Sequence, residues 1–371
     1  MTSNITIMPP SFEAYKPISP DRDIAVLMSG GVDSSTAALI LKEQGWNVLG
    51  ITMKLPVADE CVHPAPCCGG RAAIVAHNLG VAHYFLDTAA AFNKHVIERF
   101  RNSYARGLTP NPCADCNQFL KFGAVWDLLE REFGIHYLAT GHYAQVVYEN
   151  GGYFLQRGAD RHRDQSYFIY GVPRKRIPYL ILPMGSMNGK DDVRARAAEA
   201  ALPVADQPDS MELCFAGEGD YRKALGHVAE ENDGPILDSE GNRLGTHSGV
   251  WNYTIGQRRG LGIATGEPMY VVAINPVENS VTVGTRDEAF RRDVVACNLN
   301  ILQPDKISRD TEFEAMIRSY NKPAPCQITS FSPTSLRVKF SEPQFAPAPG
   351  QRLVLYDREG RVVCGGEISR S

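Results

Sequence analysis

Residues 25–35 read AVLMSGGVDSS. The apolar run 24–28 (IAVLM) has the length of a buried strand. It breaks on a glycine pair, and 34–44 (SSTAALILKEQ) then carries helical character as far as Gly45. A buried strand turning tightly into a helix opens a βαβ unit, and the following residues repeat the pattern. VLGITM (48–53), HYFLD (83–87) and HYLATGH (136–142) are further strands, while 71–79, 91–107 and 117–134 are helices. Such alternation predicts an α/β domain with a doubly wound parallel sheet. Ligands of these sheets sit beyond the carboxyl ends of the strands. The glycine turn, Met53, Asp87 and Gly141 fall there.

After about residue 220 the pattern changes to glycine turns and short alternating segments. These include 268–275, 280–284, 312–318, 335–340, 351–357 and 361–368. They predict a small mixed domain and then a β-barrel or sandwich, of which the barrel is the expected form. The expected division is a loose leader over 1–22, the nucleotide-type domain over 23–220, a small central α+β domain over 221–285 and a barrel over 286–371. A length of 371 residues suits such a multi-domain chain. No apolar run is long enough for a bilayer, and the first residues lack the charge and apolar pattern of a secretory signal. The cytoplasm is the expected location. A net charge of −4 speaks against indiscriminate nucleic-acid binding but leaves room for a local basic face. Nine cysteines in a large chain of a reducing compartment read as thiols, metal ligands or redox groups before structural disulfides.

The opening turn is neither a Walker A loop nor a G-x-G-x-x-G fingerprint. It still suits phosphate. Gly30 and Gly31 allow close approach of backbone N–H groups, Ser34 and Ser35 add hydroxyls, and the helix start adds its positive dipole end. Asp33 would repel a bare phosphate and makes sense where Mg²⁺ bridges it to the phosphates. The string resembles the PP-loop of the ATP pyrophosphatase superfamily, whose members adenylate an oxygen and release pyrophosphate.

GLTPNPCADCNQFLKFG (107–123) places Cys113 and Cys116 in a C-x-x-C ahead of a helix whose dipole would lower a thiol pKa. A third cysteine, Cys214, lies in ADQPDSMELCFAGEGDY (205–221), flanked by Asp209 and Asp220. Buried thiols and a zinc site are the alternatives. Cys61, His63, Cys67 and Cys68 form a second potential set, although adjacent cysteines chelate one tetrahedral ion poorly.

Five strings in order give a closer resemblance: TPNPCADCNQFLKFG, LATGHYAQ (138–145), RDQSYFIY (163–170), PDSMELCFAGEGDYRKAL (208–225) and GTHSGVWNYTIGQRRGLGI (245–263). Over about residues 22–368 the chain resembles the tRNA-specific 2-thiouridylase family, MnmA/TrmU. The resemblance implies that Leu27, Met28, Ser29, Gly30, Gly31, Val32, Asp33 and Ser34 bind ATP, with Met53 and Gly141 lining the nucleotide site. It implies that Asn111, Pro112 and Cys113 meet the target base, that Cys116 is the nucleophile and that Cys214 receives sulfur as a persulfide. Arg163, Asp164 and Gln165 match a tRNA-contacting triplet, usually K-D-Q in relatives. Arg318 and Ser319 match a second contact, in which the usual aromatic is displaced to Tyr320.

The chemistry fits these residues. Adenylating the uracil C2 oxygen makes it a leaving group, and a thiolate is a strong nucleophile near neutral pH. Two cysteines can relay sulfur, one carrying the persulfide and the other resolving it. Because many relatives have Asp at the position of Cys113, a second reading makes Cys113, Cys116 and Cys214 the ligands of a [4Fe–4S] cluster that binds sulfide. The expected partners are therefore wobble-uridine tRNAs, those for Lys, Glu and Gln, and a sulfur donor, carrier protein or inorganic sulfide. An amidating PP-loop synthetase and a non-enzymatic iron–sulfur or zinc RNA-binding module are the rival functions. His142 could steer the nucleotide or simply end a strand. The basic clusters 174–176, 258–259 and 291–292 could form a tRNA-facing stripe, and Cys297, Cys326 and Cys364 read as idle.

Overall fold

The structure is a computed structural model that describes residues 5–56, 70–208, 213–215, 224–226, 228, 232–309 and 311–370. The chain forms two compact units. One comprises Met1–His95, Cys113–Gly219 and Glu359–Val362; the other comprises Val96–Pro112, Asp220–Arg358 and Val363–Ser371.

The first unit holds a six-stranded sheet. Its strands are β1 (Thr6–Pro10), β2 (Asp23–Leu27), β3 (Asn47–Lys54), β4 (Ala82–Asp87), β5 (Tyr137–Thr140) and β8 (Leu180–Ile181), in the order β1-β4-β3-β2-β5-β8. All pairings are parallel except β1 with β4. Every residue of β2 is buried, as a central strand covered on both faces requires. The chain runs outward from β2 to β3 and β4, then returns to β5 on the other side. The topological switch therefore lies between the carboxyl ends of β2 and β5.

Helix α1 (Val32–Glu43) follows β2 and is buried almost all round, because Ser, Thr and Ala dominate its first half and let it lie close to its neighbours. Helix α2 (Gly70–Leu79) precedes β4. Helix α3 spans 89–105 and helix α4 spans 112–133; each contains a π-helical stretch, Asn93–Ile97 and Cys116–Val125 respectively. A hairpin, β6 (Ala144–Glu149) and β7 (Gly152–Arg157), leads to the short helix α5 (Ser166–Ile169); helix α6 (Lys190–Glu199) follows β8.

Two sequence expectations change here. Residues 5–22 are not a loose leader. Ser11 Oγ is 2.8 Å from His83 Nδ1, and Asn47 Nδ2 donates to Tyr15 Oη at 3.1 Å. The Asp23 carboxylate accepts the N–H groups of Ile18 and Ser19. The second change is the start of α4. Pro112 opens it, in the first-turn position where a missing N–H costs nothing. The C-x-x-C is thus inside the helix rather than ahead of it.

In the second unit, the described part of the middle segment is a four-stranded sheet of β9 (Gly234–Leu237), β10 (Arg243–His247), β11 (Tyr270–Asn275) and β12 (Ser280–Gly284), with a 3₁₀ turn at Val250–Asn252. Its order is β10-β9-β12-β11, with β9 and β12 parallel. The expected barrel is present and closed. Strands β13 (Phe290–Ile301), β14 (Glu312–Met316), β15 (Ala324–Phe331), β16 (Ser335–Phe345), β17 (Arg352–Tyr356) and β18 (Val362–Ile368) run β13-β16-β15-β14-β17-β18 and back to β13. Along β16 the buried Leu336, Val338 and Phe340 alternate with the exposed Arg337 and Lys339, the period-two pattern of a filled interior.

Candidate active site

The turn between β2 and α1 is built as its residues suggest. Leu27, Met28 and Val32 are buried under it, Ser29 is exposed, and Gly30 takes a left-handed φ of +80°. Gly31 occupies the N-cap position with extended backbone and no side-chain cap. The hydroxyls brace the loop: Ser29 N–H donates to Ser34 Oγ at 3.1 Å, and Ser35 Oγ donates to the Gly31 carbonyl at 2.9 Å. Ser35 is fully buried and so acts as a brace rather than the phosphate donor expected. Met53 is half-buried near the end of the adjacent strand β3.

Gly141 follows β5 across the switch point. A Cβ placed there would lie 2.7 Å from Ser34 N and 2.9 Å from the Asp33 carbonyl carbon. The turn after β5 therefore touches the start of α1, and no side chain fits between them.

Asp33 sits in the first turn of α1. Lys190 Nζ, from the start of α6, donates to both of its carboxylate oxygens at 2.9 and 2.8 Å. The Tyr143 hydroxyl donates to Oδ1 at 2.7 Å. Tyr143 is fixed in turn by Gln165: Tyr143 N–H donates to Gln165 Oε1 at 2.9 Å, and Gln165 N–H donates to the Tyr143 carbonyl at 2.8 Å. One member of the expected tRNA-contacting triplet is thus linked through Tyr143 to Asp33 at the glycine turn. Asp164 is committed internally, accepting from Arg157 Nε, Gly158 N–H, Ser166 N–H and Ser166 Oγ. Arg163 is half-buried beside it. A single carboxylate beside a nucleotide suits Mg²⁺, which binds through one or two carboxylates plus phosphate oxygens rather than an all-protein cage.

The three thiols occupy one region of the same unit. Cys113 is exposed and Cys116 buried, in successive turns of α4, and Cys214 is exposed. Helix α3 braces both parts: His95 stacks on Phe119 of α4 with centroids 6.4 Å apart, and Phe92 meets Phe215, next to Cys214, edge-on at 5.9 Å. Burial pushes all three thiols upward. Surrounding protein raises Cys214 to about 12, helped by Cys116 and Cys113, although its side chain still reaches solvent. The helix dipole was expected to lower a thiol here; burial dominates instead. The opposing influence is Lys121, whose charge pulls each thiol down. Lys121 Nζ is held by Asn117 Oδ1 at 2.9 Å, and Asn117 Nδ2 donates to the Phe168 carbonyl at 3.0 Å. Burial first, and Lys121 second, hold His142 well below the usual histidine range, so it is neutral at pH 7; its Nδ1 is 2.7 Å from Thr140 Oγ1.

A pH dependence follows. In tRNA-free protein, alkylation of Cys214 by iodoacetamide is expected to rise about tenfold per pH unit from pH 7 to 10, because only the thiolate reacts. Peptide mass spectrometry reads this directly, and a plateau by pH 8 would contradict the assignment.

The cysteine positions bear on two further expectations. Among the described residues every cysteine is a free thiol, and no three His, Cys, Asp or Glu side chains converge to hold a metal. Cys113, Cys116 and Cys214 are not joined by a disulfide. Cys61, His63, Cys67, Cys68, Asp209 and Asp220 lie outside the described residues.

Asn111 is buried and leads through Pro112 into α4. In the second unit Arg318 is half-buried, donating to the carbonyls of Ile255 and Ala346 at 2.8 and 3.0 Å. Ser319 is half-buried, and Tyr320 is 91% exposed. The basic cluster 174–176 is less of a surface patch than its charge suggested. Arg176 is buried, donates to the Phe122 carbonyl, Asp127 and Glu130, and lies 4.9 Å from the Trp126 ring. Lys190, Tyr143 and Lys121 were not singled out in the sequence. Only Lys121 left a local signal, five residues after Cys116 on the same helix.

A parallel sheet of this order, with a glycine loop at its switch point and a barrel downstream, defines a HUP-domain protein with appended β-domains. Family models match in the same order: a tRNA methyl transferase HUP domain over 22–218, a tRNA methyl transferase PRC-barrel domain over 222–285 and an aminomethyltransferase beta-barrel domain over 291–368. The tRNA-specific 2-thiouridylase MnmA of Acetivibrio thermocellus is 40% identical over 358 residues, covering 94% of this chain and 99% of its own. That of Rickettsia felis is 42% identical over 357 residues, covering 94% and 96%. MnmA 1 of Syntrophus aciditrophicus is 41% identical over 375 residues, covering 99% and 98%. The chain belongs to the tRNA-specific 2-thiouridylase family, whose members are sulfurtransferases.

Proposed function

We propose that the chain thiolates C2 of the wobble uridine of tRNA at the expense of ATP. The observation that carries this reading is the co-occurrence, in one unit, of an uncapped glycine-loop helix start bearing Asp33 and of the Cys116–Cys214 region. The uracil O2 attacks the α-phosphorus of ATP, and pyrophosphate leaves. A bound Mg²⁺, held by Asp33 and phosphate oxygens, would neutralise the departing pyrophosphate. The terminal sulfur of a Cys214 persulfide attacks C2, and AMP leaves with the former O2. Cys116 then attacks the Cys214 sulfur and frees the thiocarbonyl. The resulting Cys116–Cys214 disulfide needs two electrons from a thiol reductant before a sulfur donor recharges Cys214.

The residues have matching duties in this reading. The turn Leu27–Ser34, with Met53 and Gly141, receives ATP. Asn111, Pro112 and Cys113 meet the base. Arg163, Gln165, Arg318 and Ser319 serve tRNA binding, and Asp164 orders the loop that carries two of them. The division 23–220, 221–285 and 286–371 separates activation from the two β-domains. No described helix is long and apolar enough to cross a membrane. A cytoplasmic location, and Lys, Glu and Gln tRNAs as substrates, belong to the proposal.

The test is pyrophosphate release by purified protein with a persulfide donor, with and without unmodified tRNA, and mass spectrometry of the tRNA nucleosides. The expected result is tRNA-dependent release together with 2-thiouridine. Release that ignores tRNA, or tRNA that stays unthiolated, would sink the reading. Full activity in iron-free protein is expected as well, since no step uses a cluster.

A further inference from the structure

We propose that Lys190 is a positioning residue for the nucleotide step. It holds the Asp33 carboxylate in the nucleotide-free chain and passes to the polyphosphate when a magnesium-bound nucleotide takes that carboxylate over. The inference rests on the ATP reading above and adds a residue to it.

Three observations meet at this pair. Lys190 is 7% exposed, and its ammonium faces both oxygens of Asp33 at 2.9 and 2.8 Å. A buried ammonium requires a counter-charge, and the Asp33 carboxylate supplies one. Lys190 is also the first residue of α6, where the positive dipole end disfavours a cation and favours the acids that follow it, Asp191 and Asp192. Helix formation therefore does not explain a lysine at this place; its reach to the phosphate loop does. Finally, Asp33 is oriented from a second side by the Tyr143 hydroxyl at 2.7 Å, so the carboxylate stays aimed when one partner leaves. Once Mg²⁺ occupies Asp33, Lys190 loses the share of that carboxylate it holds in the nucleotide-free chain. The polyphosphate, docked at the same helix start, is the anion that replaces it. The exchange keeps the buried lysine compensated in both states.

An ATP acyl-phosphate probe, which acylates lysines lying beside the bound polyphosphate, tests this on the wild-type chain. Lys190 is expected to carry label that excess MgATP suppresses. In Lys190→Gln, MgATP is expected to bind about tenfold more weakly or worse, whereas Mn²⁺ alone binds more tightly because Asp33 is released. The gain in Mn²⁺ binding should vanish in Asp33→Asn/Lys190→Gln, and Lys190→Arg should stay close to wild type. A residue needed only for folding would not tighten Mn²⁺ binding. Label on other lysines but not on Lys190, or unchanged Mn²⁺ affinity in Lys190→Gln, overturns the proposal. Absence of any MgATP-protected label overturns the nucleotide reading itself.

Discussion

Cys116→Ser and Cys214→Ser are each expected to lower 2-thiouridine formation by about a thousandfold or more, since a hydroxyl neither carries nor resolves a persulfide. The double variant should fall no further than either single one, because the two sulfurs act as a unit. Tyr143, Lys190 and the loop at Asp33 are untouched by these changes. Pyrophosphate release dependent on tRNA should therefore persist in both variants during a single turnover. Nucleoside mass spectrometry and a pyrophosphate assay on the same samples separate the two halves of the reaction. Joint loss of both signals would mean that the thiols serve activation or tRNA binding rather than delivery. Cys113→Asp should keep most activity, given that Cys113 has no covalent part in the relay.

Gly141→Ala is the second large effect. The added methyl would meet Ser34 N at 2.7 Å and the Asp33 backbone at 2.9 Å, so the start of α1 must yield. Backbone atoms cannot swing aside as a side-chain tip can. Overpacking of this kind costs about 1–3 kcal/mol. Displacing the phosphate loop by a fraction of an ångström should raise the KM for ATP by about ten- to a hundredfold. Gly134→Ala is the matched control. Gly134 ends α4 with φ +66° and has open space around it, so alanine there costs about 1 kcal/mol in backbone strain. ATP kinetics and thermal melts of the two variants give the comparison. Equal KM values would remove Gly141 from the nucleotide site.

The parallel sheet was legible because its strands are short apolar runs buried on both faces, each closed by a glycine or a helix. β1 was not, since TIMPP carries two prolines and pairs with a strand more than seventy residues away. The start of α4 was obscured because NPC reads as a loop until Pro112 is recognised as a first-turn residue. For the candidate site, the glycine turn after β2 and the place of Gly141 beyond β5 were readable from the strand pattern. The Lys190–Asp33 pair was not, because 157 residues separate its members and only the fold brings them together. The ionisation of the thiols was misjudged: a helix dipole is visible in sequence, whereas the burial that outweighs it is a property of the tertiary structure.

The two margins of the six-stranded sheet are also worth comparing. On one side β8 is only two residues long; on the other β1 contains Pro9 and Pro10 and a register shift against β4. Neither margin offers a neighbouring molecule a long, regular row of backbone donors. The sheet is closed to growth by strand addition, as the barrel is by its circular pairing. A variant trimmed at Arg22 would retain the loop and the thiols but leave β4 as an open template, and would be expected to self-associate with increasing concentration.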